Sequence, residues 1–68
     1  MQHSKLNYYI NDNGISITET DTEINLFYYY GDEVELSHNF TSYNEIEKVF
    51  GKSIDDIDCV DLMQYEQK

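Results

Sequence analysis

The 68-residue chain contains no proline, arginine or tryptophan, has a single cysteine, and lacks any apolar run long enough to cross a membrane. Each absence narrows the reading. With Cys59 alone no intrachain disulfide can form, and a reducing cytoplasmic setting is expected. The polar opening MQHSKLNYYINDNG has neither a signal-peptide nor a membrane-span pattern, so a soluble cytoplasmic protein is expected. No repeat, linker or composition break divides the chain, and residues 1–68 read as one small acidic domain. The shortage of cations says most: four lysines stand against fourteen Asp and Glu, for a net charge of −10. Such a chain repels phosphates and anionic membranes, which argues against direct nucleic-acid or membrane binding. It suits instead a basic protein surface, of which nucleic-acid-binding grooves are the commonest concave kind.

High charge alone suggests disorder, but 40% of the residues are hydrophobic and 15% aromatic, including seven Tyr and three Phe. A folded domain follows. A chain of this size buries only about 60% of its unfolded surface, so its core is thin, and a homodimer is one route to further stability.

Along the chain, Leu6, Tyr8 and Ile10 alternate with polar or amphipathic residues up to Asn13-Gly14, a pair suited to a two-residue type I′ turn before a return strand from Ile15 to Thr20. That turn sets Ile10 opposite Ile17 and Tyr8 opposite Glu19, leaving Ser16 and Thr18 on the other side. A second hairpin is expected from Glu23 to Tyr30 and from Glu33 to Phe40, joined by a type II′ turn at Gly31-Asp32. Its register puts Asn25, Phe27 and Tyr29 on one face with Val34, Leu36 and His38. Ile24, Leu26, Tyr28 and Tyr30 share the opposite face with Glu33, Glu35 and Ser37. Both faces are partly apolar, so a helix covers one and the other needs a second sheet, a dimer mate or a partner.

Ser42-Tyr43-Asn44-Glu45 has the pattern of a capping box, Tyr43, Ile46, Val49 and Phe50 form a helical apolar stripe, and Gly51 supplies the stop. Beyond it, Ile54, Ile57 and Val60 have helical spacing, whereas β-branched residues beside Cys59 favour a strand over 57–63. The expected fold is α+β, a mainly antiparallel sheet of two hairpins plus a C-terminal strand with one short helix packed on it.

Two acidic clusters stand out: Asp32, Glu33 and Glu35 at the second hairpin, and Asp55, Asp56, Asp58 and Asp61 near the C-terminus. On one face they could imitate a phosphate track, whereas ordinary soluble surfaces mix both signs. Paired carboxylates for acid–base catalysis need a pocket that so small a core scarcely offers, and no enzyme activity, cofactor or metal is expected. An EF-hand centred on Gly14 would put Tyr9 in its first ligand position, and His38 and Cys59 lack metal-ligand spacing. The run Phe27-Tyr28-Tyr29-Tyr30 pairs large aromatic area with polar tips, as protein-binding surfaces do.

From Phe27 to Leu62, the order FYYYGDEVEL, NEIEKVFG, SIDDIDCVDL resembles the small dimeric uracil-DNA glycosylase inhibitors encoded by some phages. The resemblance implies an aromatic strand, a short helix ending in an aromatic-Gly pair and a final strand with an acidic start. It also implies that helices of two subunits grip a leucine of the enzyme while carboxylates imitate phosphates. Carried over by position, Ile46 and Phe50 stand at the groove and Glu47 at the partner-contacting acid, with Ile46 departing from the family's aromatic. In size and charge the chain is equally similar to anti-CRISPR proteins. The expected function is therefore that of a DNA-mimic inhibitor occluding a host glycosylase or CRISPR nuclease. Asp32, Glu33, Glu35, Glu47, Asp55, Asp56, Asp58 and Asp61 would supply charge, and Tyr28, Tyr30, Ile46 and Phe50 apolar contact. The alternative is a structural or regulatory interaction module, antitoxin-like or accessory, that oligomerises through its aromatic strand.

Overall fold

The computed structural model describes residues 7–32 and 34–67. The expectations for Leu6, Glu33 and the side chain of Val34 lie outside the described residues. Four strands, β1 (Asn7–Ile10), β2 (Ser16–Glu19), β3 (Ile24–Tyr30) and β4 (Val34–Phe40), form an antiparallel sheet in the order β1-β2-β3-β4. Helix α1 (Tyr43–Phe50), a 3-10 turn (Ile54–Asp56) and helix α2 (Cys59–Glu66) complete an α+β fold. The two hairpins, the antiparallel sheet and the first helix match the expected architecture. The C-terminal element does not, being a helix where the β-branched residues suggested a strand.

Each hairpin is one residue out of the expected phase. In the first, Tyr9 pairs with Ile17 and Ile10 with Ser16. Among the described residues only glycines have positive φ, Gly14 at 84° included, which rules out a type I′ turn because Asn13 would need one too. The Gly14 N–H donates to the Asn11 carbonyl at 3.1 Å and the Asn11 N–H to the Ile15 carbonyl at 3.0 Å. The loop is thus a turn closed by a left-handed glycine. In the second hairpin Tyr30 pairs with Val34, not residue 33, so Tyr28 pairs with Leu36 and Leu26 with His38. Because side chains alternate, each one-residue slip exchanges the faces of one strand relative to its neighbour.

The corrected register gathers Ile17, Ile24, Leu26, Leu36 and Phe40 on one face, which buries them with Ile15, Ile46, Ile57 and Leu62. Both helices pack on this inner face. Phe40, Phe50 and Tyr65 meet in a three-ring cluster with centroids 5.5–5.8 Å apart, tilted or edge-on as aromatic quadrupoles favour.

Local chemistry explains both helices. The Ser42 hydroxyl accepts the Glu45 N–H at 3.1 Å, and Gly51 ends α1 at φ 73° with its N–H on the Glu47 carbonyl. The Glu45 carboxylate reaches one residue beyond the expected box, to the Thr41 N–H at 2.8 Å. That bond, and a second from the Thr41 hydroxyl, hold Glu45 below its usual pKa. In α2 the box is reciprocal: Asp58 accepts the Asp61 N–H and Asp61 the Asp58 N–H, each at 3.0 Å. This cap, with Cys59, Leu62 and Tyr65 spaced to share one helical face, outweighs the strand preference of Ile57 and Val60.

Candidate protein-binding surface

In an antiparallel meander the first and third connections lie at the same end of the sheet. The β1–β2 loop and the Gly31-Asp32 turn therefore share one end, two strand spacings or about 10 Å apart. Asn11 fixes the 3-10 turn to that end. It is 7% exposed, and its amide donates to the Ile54 and Ile57 carbonyls at 2.8 and 2.9 Å. Its side-chain oxygen accepts the Asn13 and Ile15 N–H groups, both at 2.9 Å. Asn13 adds a bond to the Asp56 carbonyl at 3.0 Å. Asp12, Asp32, Asp55 and Asp56 consequently stand exposed at one end of the molecule. None of these four forms a salt bridge among the described residues.

The other expected acids divide. Glu35 is exposed on the outer sheet face opposite Tyr29, and Glu47 is exposed on α1. Asp58 and Asp61 are half-buried and committed to the α2 cap, Asp61 also binding the Lys52 ammonium at 2.9 Å. Burial pushes the Asp61 carboxyl up, but the Asp58 N–H and Lys52 outweigh it and leave its pKa lowered. The same hydrogen bond raises that of Lys52. These two carboxylates look inward.

The expected apolar contacts are also redistributed. Ile46 is fully buried and Phe50 belongs to the three-ring cluster, so the apolar stripe they share packs α1 on the sheet, and the groove position that the resemblance implied for Ile46 is closed to a partner. Tyr28 is half-buried on the inner face, where burial and the neighbouring Cys59 thiol raise its hydroxyl pKa. Tyr30, stacked on Tyr28 at 6.4 Å, is 62% exposed beyond the helices. Between the helices, Val49, Phe50, Asp61, Gln64 and Tyr65 line a small groove.

Asp12 escaped the sequence reading because it is isolated in the chain, although its place in a hairpin loop beside Asn13-Gly14 was a usable signal. Among the described residues no group of three His, Cys, Asp or Glu side chains is arranged to hold a metal ion, and no helix is long and apolar enough to cross a membrane. No protein-family model, no curated protein and no solved structure matches the chain.

Proposed function

We propose that this protein is a DNA-mimic inhibitor that occludes the basic DNA-binding surface of a DNA-processing or defence enzyme, in the manner of the uracil-DNA glycosylase inhibitors its sequence resembles and of the anti-CRISPR proteins it is similar to in size and charge. The observation that carries the reading is the end of the sheet where Asp12, Asp32, Asp55 and Asp56 stand exposed without a salt bridge among the described residues. A like-charged cluster on a thin domain is self-repelling in isolation, and a basic groove relieves that repulsion. Tyr30, exposed at the same end as Asp32, supplies aromatic contact area beside the charge. The reading predicts fast association that slows as salt rises, since complementary charge acts mainly on encounter.

The test is competition with DNA for a purified uracil-DNA glycosylase and a CRISPR nuclease, using the chain and its Asp32→Asn/Asp55→Asn/Asp56→Asn variant. One of the enzymes should lose DNA binding at stoichiometric inhibitor, and the variant should be weaker by about tenfold or more. Equal potency of the neutralised variant, or no effect on either enzyme at low salt, would sink the proposal.

A further inference from the structure

The face of the sheet turned away from the helices is nearly free of charge in a molecule that carries charge almost everywhere else. Tyr8, Ile10, Phe27 and Tyr29 project from it, with Tyr8, Ile10 and Tyr29 at 61%, 58% and 55% exposure. Glu35 is its one acid among the described residues. Phe27 and Tyr29 stack at 6.4 Å with rings 6° from parallel, forming a ridge along β3. Beside the ridge, β2 offers only Ser16 and Thr18, with the Tyr8 hydroxyl lying 3.3 Å from Ser16 Oγ. On the β4 side Asn25 donates to Ser37 Oγ at 2.9 Å and to Asn39 Oδ1 at 3.0 Å, so these polar groups already satisfy one another.

We infer that this face is the interface of a homodimer, two copies packed sheet to sheet about a two-fold axis. Charge selects the occupant. A basic partner is recognised through carboxylates, and this face offers it one. Two copies at a net charge of −10 each repel wherever their acids meet, and this is the surface on which they meet with least repulsion. Shape agrees with charge. A two-fold axis parallel to the strands lays the aromatic ridge of β3 over the low β2 strip of the other copy, an isologous fit repeated on both sides. Four strands at about 4.8 Å spacing give a face roughly 20 Å wide, burying on the order of 400 Å² per copy. That is below a standard interface, so the dimer is a weak one.

This inference is independent of the proposed inhibition, and salt separates the two. Screening relieves repulsion between copies, so added salt should tighten the dimer while it weakens binding to a basic enzyme. Sedimentation equilibrium of the intact chain should show a concentration-dependent dimer that tightens between low and moderate salt. Phe27→Lys/Tyr29→Lys should weaken it by about tenfold or more, with folding checked by circular dichroism. Tyr30→Lys, an equally exposed tyrosine of the same run on the opposite face, should leave it unchanged. Should the double variant fail to fold, Ile10→Asn carries the test. A chain that stays monomeric to about 1 mM assigns the face to some other partner and overturns the inference. So does a dimer that the outer-face changes leave intact or that Tyr30→Lys disrupts equally.

Discussion

The two faces of the sheet are made from the same strands, yet they differ in almost every physical respect. The inner face carries the buried, mainly aliphatic core and is covered by helices over all but the Tyr30 end, whereas the outer face is aromatic and hydroxyl-rich and stands open. The run Phe27-Tyr28-Tyr29-Tyr30 divides between them, Tyr28 towards the helices and Phe27 and Tyr29 away. Adjacent residues of one composition thus acquire opposite roles from strand alternation alone, and aromatic clustering in sequence says little about clustering in space.

The contrast is sharpest at neighbouring residues. Leu26→Ala on the inner face should cost about 2–5 kcal/mol, as a fully buried leucine replaced by a cavity does, and Phe27→Ala on the outer face well under half as much. For a domain expected to be stable by only about 3–10 kcal/mol, the first change removes much of the total. Equal losses in urea unfolding would show that the outer face is as well packed as the inner. A smaller effect is expected at Asn11, which ties the sheet to the turn leading into the covering helix. Asn11→Ala leaves buried backbone groups without partners and should cost about 1–3 kcal/mol. Hydrogen exchange should then quicken first in the loop after β1 and in residues 54–57, while uniform quickening would deny the joint a local role.

The smallest effect concerns pH. Because the folded-state pKa of Asp61 is depressed below the ordinary 3.8, its contribution is complete above that value and is lost as pH falls through the lower folded pKa. The stability advantage of the native chain over Asp61→Asn should therefore persist at neutral pH and shrink as the pH falls below 3.8. An advantage independent of pH would mean that the Asp61 contacts with Lys52 and the Asp58 N–H do not distinguish the two charge states.

How far the sequence revealed all this depended on the range of the interactions involved. Helix α1 was legible because Ser42 and Gly51 encode its ends within a few residues. The second helix was misread because Ile57 and Val60 spoke for a strand, while the Asp58–Asp61 box used acids in both positions and passed for surface charge. The registers were hidden because Asn13-Gly14 and Gly31-Asp32 fit two-residue turns locally. The observed first loop is held by Asn11, whose decisive partners are more than forty residues away. For the candidate surface, the abundance of acid was plain from composition. The meeting of Asp32 with Asp55 and Asp56 at one end required the topology, and the groove position that the resemblance implied for Ile46 gave way to the helical periodicity that packs it into the core.

The meander order also bears on the time course of folding. Every sheet pairing joins strands adjacent in sequence, so the loops to be closed are short and the sheet belongs to the faster-assembling antiparallel topologies. Leu62 and Tyr65, however, belong to the last helix described, and α1 alone leaves part of the inner face uncovered until they have been synthesised. On the ribosome the nascent sheet must therefore expose both of its faces, one of them only until α2 emerges and docks.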